Sequence, residues 1–586
     1  MSKPLYAVAA DSLKGNDGQL EAYESGGNCV VLAGPGAGKT KTITIKLARL
    51  LEEEVRAPQR LACITYSNAC VGELRGRLRK LGVAEDGRLH VATVHSFCLT
   101  ELVLPYGRLA GLDVPDPLVV ASPAQSRKLF EQAHMETLGS PAPQWFRTEC
   151  DRLRRTIVDL GSKEWQSWNR RETAVVEAYQ QLLLDNGLID FDGIILTALR
   201  LIENHGWVRQ CLRAKYPIIV IDEYQDLGLP LHRMVLALMN KAGGRIIAVG
   251  DPDQSIYGFT GAQPWLLKAL AALSNVQAVR LKLNYRCADQ IIAASKTLLP
   301  DPVEFKSHDG RQGTILFYQL GCDVRGQADY ALEKIVPMLL KENEKWKPGD
   351  IALLYRSFNE GNSAAAAADK LGYEYFRIDN GSPIKRSRVT EWLTDCARWC
   401  AGGWHSGMVT LGEILKSWRP LRRSLTREAD LLAARAKLIT FLFANRDGAI
   451  PLQTWLVGIG AACVNELFEA EPGLGDEQEI FEELLEGAKS GGKLAGYTIE
   501  TFGNQGRSPD QINLMTLHSS KGLEFHAVIM IGLEEGAIPS TYDRTKEAIE
   551  EAGRLFYVGL TRAMSSVHLM YAFKESPLVT QVRKGT

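Results

Sequence analysis

Ala33-Gly34-Pro35-Gly36-Ala37-Gly38-Lys39-Thr40 is the stretch from which the fold follows. The apolar run Cys29–Ala33 precedes it and a helix-like segment begins at Lys39. A phosphate-binding loop needs this context: a buried strand, a glycine-rich turn, then a helix N-terminus. Backbone N–H groups of Gly34, Gly36, Ala37 and Gly38, backed by the start of the helix, can cradle phosphate oxygens. Lys39 is positioned to reach β- and γ-phosphates, and Thr40 to hold Mg²⁺. The strict pattern begins with glycine, and Ala33 stands there instead. A ligand-free glycine-rich turn is the plainer alternative, and Gly38-Lys39-Thr40 argues against it.

A second stretch, Ile218-Ile219-Val220-Ile221-Asp222-Glu223-Tyr224-Gln225-Asp226, completes the chemistry. Four apolar residues deliver two carboxylates to the C-terminal end of a strand, the edge at which open α/β sheets place ligands. Asp222 is expected to hold Mg²⁺, and Glu223 to orient and deprotonate an attacking water. Asp-Glu pairs are usually solvated charge, but in a chain with a phosphate loop this one reads as Walker B. Phosphoryl transfer also needs positive charge on the γ-phosphate oxygens, here supplied from a distant segment.

Outward from these two strands, short apolar runs recur. Cys29–Ala33, Leu61–Tyr66, Tyr216–Ile221, Arg245–Val249 and Val279–Leu283 read as buried parallel strands. Thr314–Gln319, Ile351–Tyr355, Gln511–Leu517, His526–Ile531 and Val567–Tyr571 form a second set. Ala364–Ala368 reads as helix. The expected organisation is two α/β domains, each interrupted by a mostly helical one. Residues 1–97 and 190–283 form the first, with 98–189 inserted; residues 284–384 and 505–586 form the second, with 385–504 inserted.

Bulk properties narrow the class. At roughly 100–200 residues per domain, 586 residues imply several domains. Hydrophobic residues make up 45% and charged residues 23%, as in soluble globular proteins. No apolar stretch reaches the roughly 18 residues of a membrane span. Met1-Ser2-Lys3-Pro4 does not begin a signal peptide, so a cytoplasmic location is expected. Of eleven cysteines only Cys63/Cys70 and Cys396/Cys400 lie close in sequence, and neither pair meets a second at zinc-ligand spacing. Reduced thiols and no metal–cysteine site are expected. With a net charge of −1, contact with nucleic acid must come from a local groove.

Read in order, the motifs resemble those of the UvrD/PcrA/Rep group of superfamily 1 helicases. Asn16-Asp17-Gly18-Gln19 resembles the adenine-reading Q motif, Thr65-Tyr66-Ser67-Asn68 motif Ia, and Thr93-Val94-His95-Ser96-Phe97 the next DNA-contacting motif. Val249-Gly250-Asp251-Pro252-Asp253-Gln254-Ser255-Ile256-Tyr257-Gly258 resembles motif III, and Asn284-Tyr285-Arg286 motif IV. Thr516-Leu517-His518-Ser519-Ser520-Lys521-Gly522-Leu523-Glu524-Phe525 resembles motif V, and Leu555-Phe556-Tyr557-Val558-Gly559-Leu560-Thr561-Arg562-Ala563 motif VI.

The resemblance implies two RecA-like P-loop NTPase domains and a motor that moves 3′ to 5′ along single-stranded DNA at the expense of ATP. It implies that Gln19 reads the adenine, Tyr285 stacks on it and Glu524 also serves the nucleotide. Gln254 would sense the γ-phosphate, and Arg286 and Arg562 would be arginine fingers donated across the cleft between the α/β domains. Tyr66, Asn68, His95, Tyr257, Phe259, Arg356 and His518 would line the DNA path, where stacking on aromatic rings is sequence-tolerant. For Tyr66 and Phe97 core packing is an equal alternative.

Three departures weaken the groove and leave the ATP site untouched: Phe259 for a frequent Trp, Thr260 for a frequent Arg and Ala69 for a frequent Lys. The second insertion carries a basic cluster, Lys416, Trp418, Arg419, Arg422, Arg423 and Arg427, that could touch duplex phosphates. A compact chain of this type also resembles the helicase subunit of the Gabija anti-phage system, which acts with a separate nuclease. The competing function is a DNA-end or single-strand sensor whose ATPase regulates such a nuclease with little unwinding.

Overall fold

The computed structural model describes residues 3–586 except 67, 84–86, 160–161, 301–304, 380–383, 386, 407–408, 423–424, 472–473 and 505–508. Two compact units emerge, Met1–Gly313 with Thr541–Thr561 and Gln581–Thr586, and Thr314–Ser540 with Arg562–Thr580.

In the first unit six strands form one parallel sheet: β1 (Asn28–Ala33), β2 (Leu61–Thr65), β3 (Leu89–Thr93), β4 (Ile218–Ile221), β5 (Arg245–Gly250) and β6 (Val276–Leu281). Their spatial order is β3-β2-β4-β5-β1-β6. Both faces are covered, so strand residues divide by parity between two cores. Val30 and Leu32 of β1 join Ile219 and Ile221 of β4 in one core. Cys29, Val31 and Ala33 join Val220 and Val249 in the other.

Four helices of this unit bear on function: α1 (Asp17–Glu24), α2 (Lys39–Glu53), α3 (Phe191–Asn204) and α4 (Lys546–Leu560). α2 packs Ile43, Leu47 and Leu51 under β1. The first helical insertion has a core of its own, built on Phe130, Phe146, Leu153, Trp165 and Tyr179.

The second unit repeats the scheme with β7 (Thr314–Gln319), β8 (Ile351–Tyr355), β9 (Tyr375–Ile378), β10 (Ile512–Thr516), β11 (Phe525–Met530) and β12 (Ala563–Tyr571). These strands are again parallel, in the order β7-β12-β11-β8-β10-β9. The alanine run lies in the helix Phe358–Leu371, where Ala364, Ala365, Ala367 and Ala368 are buried. Side chains that small let a helix lie close against a sheet.

The ten expected strands are present, with shifted ends. The strand expected over Val279–Leu283 runs over Val276–Leu281, and Leu283–Asn284 is a separate short strand. The one expected from Tyr216 starts at Ile218, because Tyr216 caps the preceding helix and Pro217 intervenes. Two edge strands, β3 and β9, were not anticipated. Leu89-His90-Val91-Ala92-Thr93 and Tyr375-Phe376-Arg377-Ile378 interrupt their apolar residues with His90 and Arg377, as an edge position permits.

The basic cluster of the second insertion divides: Lys416, Arg419 and Arg427 are exposed, and two of its members are not. Trp418 and Arg422 are buried in the helical core. Arg422 donates to Glu466 and to the Cys463 carbonyl, Arg419 donates to the Arg422 and Leu425 carbonyls, and Arg427 pairs with Asp430. Of these guanidinium groups only that of Arg422 is taken into the helical packing. Arg423 lies outside the described residues.

Candidate functional site

β1 ends at Ala33 and the chain turns through Gly34–Gly38 into α2. Gly36 (φ 65°) and Gly38 (φ 79°) adopt left-handed backbone, which glycine enters without steric cost. Gly38 is the residue before α2 and no side chain caps the helix, so its first N–H groups face the turn. At Gly36 close approach adds to the φ requirement: an added Cβ would lie 2.6 Å from Arg286 Cβ. Tyr285 donates its N–H to Gly36 O at 2.9 Å. Thus Asn284-Tyr285-Arg286 packs directly on the phosphate loop.

Gln19 is buried beside that loop. Its Nε2 donates to Ala37 O at 2.9 Å, while its Oε1, equally buried, has no protein partner. Leaving such an acceptor unpaired costs about 1–3 kcal/mol. A ligand that brings an N–H to this point would remove the cost, and an exocyclic amine is such a donor. Asn16 caps α1 through Gln19 N and donates Nδ2 to the Tyr285 hydroxyl at 3.0 Å. The Tyr285 ring lies 4.5 Å from that of His308. Asn16 was not singled out beforehand, although the quoted Q motif contains it.

β4 delivers Asp222 and Glu223 next to Lys39. Lys39 Nζ lies 3.9 Å from Glu223 Oε1. Glu223 has φ 52°, the only left-handed non-glycine residue among the described ones. Strain of this kind costs of order 1–3 kcal/mol and persists where the surroundings fix it. Burial, then the Glu223 charge, pushes the Asp222 carboxyl up from its usual range. Thr40 in the first turn of α2 and Asp222 at the end of β4 are the oxygen donors that would hold Mg²⁺, and a cation there would favour the charged Asp222 carboxylate. A relay joins this carboxylate pair to the next loop. Gln225 Nε2 donates to Glu223 Oε2, Gln225 Oε1 accepts from Asp251 N at 2.9 Å, and Gln254 Nε2 donates to Asp251 Oδ2. Gln225, fully buried, and Asp251 were missed as individual site residues, though both sit inside quoted motifs.

Beyond the relay lies an aromatic surface. Tyr66 stacks on Tyr257 with centroids 5.5 Å apart, and Tyr257 meets the edge of Phe259 at 6.2 Å. Tyr66 and Phe259 are 39% and 50% exposed, whereas Phe97 is core. His95 packs edge-on against Phe191 at 5.2 Å, and Phe191 is itself exposed at the start of α3. Burial lowers the His95 pKa. Phe191 was not foreseen; its signal is an apolar ring directly after the capping Asp190. Arg155 donates to Thr260 O at 3.1 Å and pairs with Asp192, so a guanidinium stands beside the residue noted for lacking one. Asn68 opens the helix Asn68–Lys80, and its side chain and that of Ala69 lie outside the described residues, as does Ser67.

Arg286 belongs to the same unit and donates Nη1 to Thr561 O at 3.4 Å. Four of the named residues lie in the second unit. Arg562 is buried with Nη1 on Leu523 O at 3.2 Å, and Glu524 is exposed in the turn before β11. Arg356 follows β8 and donates to Ala537 O. Burial, then the charges of Arg356 and Lys521, lowers the His518 pKa, so these three groups form one basic cluster.

Residues 15–273 match the profile of the UvrD/REP helicase N-terminal domain, and residues 476–574 that of the UvrD-like helicase C-terminal domain. DNA helicase II of Salmonella typhimurium strain LT2 is 28% identical, the match covering 96% of this chain and 84% of that protein. ATP-dependent DNA helicase Rep of Escherichia coli K12 is 26% identical over 94% of this chain and 90% of its own length. ATP-dependent DNA helicase PcrA of Bacillus subtilis 168 is 25% identical over 97% and 82%.

Proposed function

The chain belongs to the UvrD-like superfamily 1 helicases, and we propose that it is an ATP-dependent motor that moves 3′ to 5′ on single-stranded DNA and opens duplex ahead of it. The observation that carries this reading is the hydrogen-bonded relay Glu223–Gln225–Asp251–Gln254, which runs from the carboxylates beside Lys39 into the loop bearing Tyr257 and Phe259. One element thereby serves both nucleotide and DNA.

In this reading Gln19 and Tyr285 take the adenine, with Glu524 also on the nucleotide. The N–H groups of residues 34–38 and Lys39 take the phosphates. Mg²⁺, held by Thr40 and Asp222, neutralises phosphate charge when bound. Glu223 accepts the proton of the attacking water, with Lys39 Nζ 3.9 Å from its Oε1. Gln254 responds to the γ-phosphate, and Arg286 and Arg562 neutralise the phosphoryl group in flight. Tyr66, Tyr257, Phe259 and Phe191 stack bases, while Asn68, His95, Arg356 and His518 hold the strand. The domain reading that goes with this is two RecA-like halves, 1–97 with 190–283 and 284–384 with 505–586, each carrying a helical insertion.

A second reading, a single-strand or DNA-end sensor that signals to a nuclease partner in anti-phage defence, draws on the replaced groove residues Phe259, Thr260 and Ala69. Strand displacement from 3′- and 5′-tailed duplexes, run beside DNA-stimulated ATPase, separates the two. The motor displaces strands from 3′ tails; strong ATPase without displacement from either tail favours the sensor. No helix among the described residues is long and apolar enough to cross a membrane.

A further inference from the structure

α4 carries two side chains for which the roles above have no use. Glu551 Oε1 accepts the N–H of Gly258 at 2.8 Å, and the N–H of Phe259 also hydrogen-bonds this carboxylate. Less than one turn further, Arg554 Nε donates to Ser255 O at 2.8 Å. The two side chains therefore grip the 255–259 loop by its main chain, whatever the loop's side chains are doing. Gly258 makes the grip possible, since a Cβ there would lie 2.5 Å from Glu551 Oε2. Burial raises the pKa of Glu551, and its two main-chain donors pull the other way.

The far end of the same helix is tied to the other candidate site. Thr561 O, just past the last residue of α4, accepts from Arg286 Nη1 at 3.4 Å and from Cys287 Sγ at 3.5 Å. Arg562 is the next residue in the chain. From Glu551 to Thr561 is about 15 Å of helix at ~1.5 Å per residue. A packed helix is too incompressible to absorb a shift at one end without passing it on.

We propose that Glu551 and Arg554 are positioning residues for DNA-coupled hydrolysis: they clamp the stacking loop of Tyr257 and Phe259 onto α4, so that DNA bound there biases the helix end where Arg286 docks. This route runs beside the Gln254–Asp251–Gln225 relay and shares no side chain with it. It rests on the reading of the chain as a DNA-coupled ATPase.

The test is a linkage measurement: the affinity for a single-stranded oligonucleotide with and without a non-hydrolysable ATP analogue, and the analogue's affinity with and without DNA, for wild type, Glu551→Gln and Arg554→Met. Coupling must be reciprocal, and is typically about 5–150-fold. Wild type should show a ratio in that range. Both variants should lower the ratio to about a third of the wild-type value or less, the relay carrying the remainder, with DNA-free affinity for the analogue and melting temperature as in wild type. Variants that keep the wild-type ratio overturn the clamp. Variants that lose stability and both affinities with the ratio intact make the two residues a structural brace, which also overturns it. A wild-type ratio of one would overturn the clamp, while DNA stimulation of ATP turnover by the same protein decides the coupled-ATPase reading separately.

Discussion

Glu223 combines a left-handed backbone, a hydrogen bond from Gln225 and a lysine at 3.9 Å. Gln225 meets one carboxylate oxygen and Lys39 lies near the other, and the reading above makes this carboxylate, rather than the buried Asp222, the acceptor of the proton. Glu223→Gln keeps the shape and removes the base. ATP binding should persist and turnover should fall by about 10²–10⁴. Turnover within a few-fold of wild type would show that Glu223 is not the base. Arg286→Ala and Arg562→Ala should lower kcat by roughly 10³-fold or more with a smaller change in nucleotide affinity, because their charge matters most in the transition state. A rise in KM alone, at unchanged kcat, would remove them from the chemistry. Lys39, Asp222 and Glu223 were legible in the sequence because spacing and strand context define them. The fate of a single aromatic was not: Tyr66 and Phe97 look alike in sequence, yet one is exposed and stacked and the other is core. Only the tertiary fold decides which side of a strand end faces solvent.

Strands and helices were easier to read than the contacts they make. The central strands announce themselves as unbroken apolar runs because both faces of a parallel sheet are covered. β3 and β9 stay hidden because an edge strand tolerates polar residues. The clamp on α4 is illegible for a different reason: Glu551 and Arg554 read as ordinary solvated helix charges until Gly258 and Ser255, almost 300 residues earlier in the chain, are brought to them. β12 offers a test of the second sheet. His568 is buried there between the hydroxyls of Tyr318 and Ser566, and burial pushes its pKa down to about 4. The unfolded chain binds a proton at this residue below pH ~6.5, while the folded chain resists until about 4. Stability should therefore fall as pH drops through this window and be indifferent to His568 above it. His568→Gln should flatten that part of the melting-temperature profile between about pH 4 and 6.5. Identical slopes for the two proteins would mean that the imidazole is not held neutral.

At the scale of the whole molecule, net charge is −1, so the proposed DNA contact rests on a local surface and not on a general field. That surface combines stacked rings with few cations, Arg155 beside Thr260 among them. Phe259→Ala should weaken single-strand binding by roughly 1–3 kcal/mol and move ATPase stimulation to correspondingly higher DNA concentration. Superimposable stimulation curves for the two proteins would take Phe259 out of the DNA path. The order of motifs along 586 residues made the motor class legible, and Gln254 was read from it as the link between γ-phosphate and DNA; the contacts of Gln225, Asp251, Glu551 and Arg554 were not legible, because they join segments distant in the chain. The central claim is that hydrolysis is coupled to movement on single-stranded DNA, and ATP turnover as a function of oligonucleotide length tests it most directly. The account predicts low turnover without DNA, stimulation by single strands, and a rise with strand length that levels off once dissociation from the end becomes rare. Turnover that is the same with and without DNA at every length would contradict it.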